Sequence, residues 1–191
     1  RGMSSAASDV YKRQSMAAFD DMYQQVVTVN GVSKSFAMTG WRLGYIGAPE
    51  WIAKACTKIQ GQFTSGASSI SQRAALAAVS YSPKVILPMK EAFLVRRNFM
   101  LKELRNIKGI KINEPKGAFY LFPDVSELFR QHFDGETINN ADDLCLFLLE
   151  EAKVALVTGN AFGSPNCIRI SYAASMEQLK EAVYRLSLIH I

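Results

Sequence analysis

Apolar positions along residues 15–185 fall into short runs and helical stripes, and these predict most of the elements. Val26-Val27-Thr28-Val29 reads as a strand, and Tyr45-Ile46-Gly47-Ala48, short and apolar, reads as a buried one. Pro49 then opens a helix, a favoured first-turn position. Trp51, Ile52, Ala55, Cys56 and Ile59 recur at helical spacing there and are expected to face the core. Thr64 to Ser69 is a loop of small, mostly polar residues, followed by an alanine-rich helix from Ile70 to Val79. Pro83 and Pro88 interrupt the next region, from which a long helix runs to Ile107 on a stripe of Ile86, Met89, Phe93, Met100, Leu101 and Leu104. Gly109 stands where a left-handed C-cap is wanted.

Beyond Ile110 the pattern changes. Lys111-Ile112-Asn113 leads through Pro115 and Gly117 into a hydrophobic strand, Ala118 to Phe122. Asn140 is a helix cap, with Asp142 and Asp143 placed for the positive end of the helix dipole, ahead of Leu144, Phe147, Leu148 and Ala152. Val154 to Val157 and Ile168 to Tyr172 read as strands. Ser175 and Gln178 make a capping-box pattern before a helix carrying Leu179, Ala182 and Val183. Strands mixed with helices at this spacing predict an α/β or α+β domain.

The two ends look foreign to this pattern. Asp9 to Gln14 can be encoded by GAT GTG TAT AAG AGA CAG, whose reverse complement encodes Leu186 to Ile191. That reciprocity resembles the end repeat of a transposon used to attach sequencing adapters. Residues 1–14 and 186–191 are therefore expected to be non-native. Setting aside Arg1, Lys12 and Arg13 against Asp9 lowers the formal charge from +5 to +3. So mild a balance, without basic clusters interleaved with aromatics, predicts no nucleic-acid partner. No stretch of about twenty apolar residues predicts a membrane span. Cys56, Cys145 and Cys167 lack paired spacing and His132 stands alone, so no metal site is expected. The three thiols read as buried and inert, in a reduced cytoplasmic compartment.

Candidate chemistry concentrates in Asn30-Gly31-Val32-Ser33-Lys34-Ser35-Phe36-Ala37-Met38-Thr39-Gly40-Trp41-Arg42-Leu43-Gly44-Tyr45. A lysine among small residues after a strand is poorly explained as a solvated charge. A desolvated amine shifts its pKa readily and can attack a carbonyl. An arginine eight residues later suits a phosphate, gripped by two parallel hydrogen bonds. The bland alternatives are a salt-bridged lysine in a buried strand-turn segment and a structural salt bridge for Arg42. Later, Arg169 lies between Ile168 and Ile170 of a strand; a charge there is costly unless it meets an anion, or unless it snorkels outward at a strand edge.

The first window meets every fixed position of S-K-x-[FY]-x-M-T-G-W-R-x-G-[FYW], and so resembles the fold-type I pyridoxal-phosphate aminotransferases of class I/II, in their bacterial aspartate aminotransferase-like branch. Gly117-Ala118-Phe119-Tyr120 matches that family's G-A-F-Y strand. Val157-Thr158-Gly159-Asn160-Ala161-Phe162-Gly163 matches its V-P-G-x-x-F-G loop, with Thr158 in place of proline. The resemblance runs from about Ser15 to Arg185 and corresponds to the family's C-terminal half. It implies a partial PLP-transferase-like α/β fold: residues 15–83 from the large cofactor-binding domain, 84–108 a linking helix, and 109–185 the small domain. From the sequence alone, that helix could equally lie within one domain.

The resemblance further implies pyridoxal 5'-phosphate as cofactor and Lys34 as the catalytic lysine that carries it. Arg42 and Ser33 would touch the cofactor phosphate, and Arg169 would hold the substrate carboxylate. Gly31 stands where many relatives have a further phosphate-touching serine, so one hydroxyl contact is lost. Substrates would be an amino acid and a 2-oxo acid, in a homodimeric, cytoplasmic parent enzyme. A lyase of the same fold and the aminotransferase-like effector domain of a transcription regulator are the alternatives. The chain by itself is expected to be inactive. Its early strands would lack sheet partners and expose apolar edges, while the region after Gly109 would fold alone.

Overall fold

The computed structural model describes residues 15–19, 21–133 and 135–188; the expected leader 1–14 and the tail residues 189–191 lie outside them. The chain divides into two compact units at Pro88/Met89.

The first unit holds an antiparallel pair, β1 (Thr28–Gly31) and β2 (Gly44–Gly47), in the register Thr28↔Gly47 to Gly31↔Gly44. Helices α1 (Glu50–Phe63) and α2 (Ser69–Ser80) follow. Pro49 is the N-cap residue of α1, one position before the expected first turn. Little is buried here: among the described residues of this unit only Val32, Pro49, Ser71 and Ala75. Two expectations are thereby corrected. All four positions of β2 are exposed, and α1 buries none of its residues, with Trp51 at 67% and Ile59 at 60% exposure. A two-stranded ribbon pairs only one edge of each strand and closes no layer over its faces, so the apolar pattern finds nothing to bury it. Cys56 is likewise exposed rather than buried.

The second unit has a true core. Helix α3 (Leu87–Arg105) follows a 3-10 turn over Pro83–Ile86 and buries Met100, Leu101 and Leu104. The helix ends earlier than the apolar stripe suggested. Gly109 adopts φ +88° in a turn beyond that end rather than as the cap itself. Its left-handed φ favours glycine, and an added Cβ would lie 2.7 Å from the end of the Leu128 side chain, which would have to shift.

A three-stranded antiparallel sheet is ordered β3 (Tyr120–Leu121), β7 (Ile168–Ser171), β6 (Val157–Thr158), the labels following chain order. Between β3 and β6 come a small hairpin, β4 (Gln131–Phe133) with β5 (Glu136–Ile138), and helix α4 (Ala141–Glu150); α5 (Met176–Leu188) comes last. The hairpin was not legible in the hydrophobic pattern, and β3 is shorter than expected because Ala118 turns into the left-handed region (φ +62°).

Leu104, Leu121, Val125, Ile138, Leu144, Ile168, Ile170, Tyr172 and Leu179 are all buried in one cluster, which Leu186 of α5 joins at 6% exposure. Both helix starts are capped as the sequence predicts. The Asn140 side-chain oxygen accepts from the backbone N–H groups of Asp142 and Asp143, each at 2.9 Å. Ser175 and Gln178 exchange reciprocal bonds of 3.1 and 3.2 Å.

Candidate active site

Strand pairing makes one loop of the residues between β1 and β2. Gly31 faces Gly44 at its mouth, where a Cβ on Gly44 would meet the Asn30 carbonyl at 3.2 Å, so small residues let the strands close tightly. Loop 32–43 therefore carries Ser33, Lys34 and Arg42 together. Val32 anchors it, fully buried, and the Phe36 amide donates to the Val32 carbonyl at 3.2 Å. The chain then tightens into a 3-10 turn, Thr39–Trp41.

Two non-glycine residues of this loop are left-handed, Ala37 at φ 53° and Arg42 at φ 51°. Such a conformation costs of order 1 kcal/mol or more per residue and persists where the surroundings hold it, a pattern that recurs at functional sites. Arg42 adopts it as the C-cap residue of the 3-10 turn. One guanidinium nitrogen donates to the Thr39 carbonyl at 3.0 Å. A guanidinium carries five N–H donors, so this single bond leaves most of the fork for an anion.

Lys34 is exposed, which corrects the expectation of a desolvated amine. The reason is again the thin ribbon, which offers no second layer to cover the loop. Ser33 is half-buried.

Arg169 belongs to the second unit. It is half-buried on β7, opposite Val157 of β6, while Ile168 and Ile170 on either side are buried. Its guanidinium carbon lies 4.5 Å from the centroid of the Tyr120 ring and 4.6 Å from that of Phe162. Among the described residues no carboxylate pairs with it. The two aromatic faces were not singled out from the sequence as partners of Arg169, although both sit in the G-A-F-Y and T-G-N-A-F-G stretches. What was missing was the pairing of β3 and β6 with the same strand, β7. Ser33, Lys34 and Arg42 thus share one loop, and Arg169 stands on a separate unit.

The remaining titratable side chains offer little chemistry. Burial, helped by the Asp142 charge, pushes the Cys145 thiol up to about 11, and burial also raises Cys167 with a smaller push from Asp124. Both are poor nucleophiles at neutral pH. Among the described residues no group of three His, Cys, Asp or Glu side chains gathers to hold a metal. No described helix is long and apolar enough to cross a membrane.

The donor set on loop 32–43 suits pyridoxal phosphate: a primary amine for its aldehyde, and a guanidinium and a hydroxyl for its phosphate. Comparisons with known proteins identify the family. The family model described as aminotransferase class I and II matches residues 1–186. The chain is 52% identical over 176 residues to a bifunctional aspartate aminotransferase and glutamate/aspartate-prephenate aminotransferase of Petunia hybrida, covering 90% of this chain and 37% of that protein. It is 42% identical to an aspartate/prephenate aminotransferase of Nitrosomonas europaea, covering 89% and 43%. Among solved structures, an aspartate aminotransferase from Rhizobium meliloti superposes with a TM-score of 0.91 at 38% identity, over 98% of this chain and 47% of that one. The chain spans less than half the length of these relatives. Its α/β architecture is part of the PLP-transferase fold, and the chain belongs to the class I and II aminotransferases.

Proposed function

We propose that this chain is part of an enzyme that moves an amino group between an L-amino acid and a 2-oxo acid, with pyridoxal 5'-phosphate held on Lys34. The observation that carries the proposal is loop 32–43, which β1–β2 pairing closes so that Ser33, Lys34 and Arg42 occupy one segment in a chain of this family. When bound, the cofactor supplies an electron sink for the substrate's alpha carbon. The protein supplies grip, orientation and proton transfer. Arg42 offers a charged fork to the phosphate, and Ser33 a hydroxyl donor. Lys34 holds the cofactor through its amine and, once freed, moves the proton at the alpha carbon; a permanently charged arginine could not do this. Arg169 takes the substrate carboxylate as a bidentate pair.

Residues 15–83 would belong to the cofactor-binding domain, 84–108 to a linking helix and 109–185 to the small domain, in a cytoplasmic homodimer. The division near residue 88 and the separate core of the second unit support that organisation. In the full-length holoenzyme, borohydride reduction followed by peptide mapping should fix the cofactor on Lys34, and Lys34→Ala should abolish transamination while the fold survives. A label on Lys54 or Lys58 instead would overturn the assignment.

A further inference from the structure

Arg169 presents a charge that no carboxylate among the described residues neutralises, yet two aromatic faces flank it. Each ring is fixed by unusual backbone. Phe162 ends the turn Gly159–Phe162, where Thr158 caps the Asn160 amide at 3.3 Å. Gly159 has no room for a side chain: a Cβ would stand 2.1 Å from the Ser164 carbonyl oxygen and 2.4 Å from that of Cys167. Its amide donates to the Cys167 carbonyl at 2.7 Å, and its own carbonyl accepts from Ser164 at 3.0 Å. Phe122 then meets Phe162 edge-on, with centroids 5.9 Å apart.

On the opposite side, Tyr120 pairs with Ser171 across β3–β7, and the Phe119 ring lies 4.3 Å from its own. The left-handed Ala118 ahead of this strand is held by the buried Tyr172, whose hydroxyl donates to the Ala118 carbonyl at 2.8 Å. Phe162 nonetheless remains 48% exposed.

We propose that Tyr120 and Phe162 are positioning residues for Arg169: they clasp the guanidinium between two aromatic faces and thereby orient its donors for an incoming carboxylate. The proposal rests on the reading of Arg169 as the carboxylate anchor. An aspartate or glutamate partner would fix the arginine too, but it would occupy the donors the substrate needs. Aromatic faces attract the cation through the ring quadrupole and accept none of its in-plane N–H groups in the way a carboxylate does. Arg169 is thus held in place and left open along its edge. The pre-ordered fork loses less side-chain freedom when the carboxylate arrives.

The test uses the full-length holoenzyme, with steady-state kinetics on L-aspartate and calorimetric binding of succinate, a dicarboxylate that cannot react. Phe162→Leu and Tyr120→Leu should each raise the KM for L-aspartate and the Kd for succinate by about three- to thirty-fold, with kcat changed far less. Tyr120→Phe and Phe162→Tyr keep the faces and should restore both constants to near wild type. A purely structural role would move thermal stability and kcat together and would show no such rescue. Should Tyr120→Leu fail to fold, Phe162→Leu decides alone, since that ring is half in solvent. Unchanged KM and Kd in the leucine variants, with both raised in Arg169→Ala, would overturn the clasp and leave the anchor standing. Unchanged constants in Arg169→Ala would overturn the anchor reading and the clasp together.

Discussion

In the first unit, α1 carries Trp51, Ile59 and Phe63 at 67%, 60% and 84% exposure; in the second, α4 puts Leu144, Phe147 and Leu148 almost wholly out of water. Both helices are amphipathic, and both were predicted to bury an apolar stripe. They differ in what they pack against. Helix α4 has contacts with β5, with β6 and with the turn that follows β6, and its Leu144, Phe147 and Leu148 belong to the core that α3 and α5 share. Helix α1 follows a two-stranded ribbon that closes no layer. An apolar stripe records a demand for a partner, and the partner has to come from elsewhere in the fold. The candidate chemistry divides between the same two settings: the amine and phosphate-type donors sit on a thinly covered loop, and the carboxylate-type donor sits on a strand beside a packed core.

That contrast can be broken or sharpened by experiment. The largest expected effect is in the core. Leu104→Ala in this chain should cost about 2–5 kcal/mol by denaturant unfolding, since a fully buried leucine leaves a cavity behind it. Ile70→Ala in α2, at 72% exposure, should stay within about 0.5 kcal/mol. Native-state hydrogen exchange should show the same division, with α3, α4 and β7 protected well beyond β1, β2 and α1. Equal protection in both units, or equal cost for the two substitutions, would remove the distinction drawn here.

A smaller effect separates capping from burial. Asn140→Ala deletes the acceptor of two amide bonds at the start of α4 and should cost about 0.5–2 kcal/mol. Asn140→Asp should recover most of it. If the alanine variant unfolds at the wild-type midpoint, capping adds nothing to what packing supplies.

The smallest is a pH effect in the second unit. Asp124 accepts bonds from the Ser126 hydroxyl at 2.6 Å and from its backbone N–H at 2.9 Å, and these, the hydroxyl foremost, hold its carboxyl below the ordinary range. A carboxyl depressed in the folded state stabilises the fold above its unfolded pKa, and that contribution is lost as pH falls through the folded pKa. Ser126→Ala should raise the Asp124 pKa toward its ordinary value, as NMR titration would register. The variant should also lose less stability between pH 5 and the acid end than wild type does. An unmoved titration would assign the depression to other groups.

The site was unevenly legible. Ser33, Lys34 and Arg42 stand close in sequence, so a motif found them, and β1–β2 pairing only had to close the loop that bears them. Exposure of Lys34 was not legible, because burial depends on neighbouring layers rather than on neighbouring residues. Arg169 was found from its place between two isoleucines, but its clasp was not. Tyr120 is 49 positions away in the chain and meets Arg169 only because β3 pairs with β7; β6, paired with β7 on its other edge, is followed by the turn that carries Phe162.

What the sequence by itself determined was local: the caps at Asn140 and Ser175, the helical stripes, the strand at Ile168–Ser171, and the grouping of Ser33, Lys34 and Arg42 in one short segment. Each depends on atoms within a turn or two of chain, where side-chain type and backbone preference act directly. Tertiary structure alone decided the shortness of β3, the hairpin β4–β5, the exposure of α1 and β2, and the two rings that hold Arg169. These depend on which distant segments meet, and hydrophobic burial, being non-directional, does not by itself say which apolar face will find which partner.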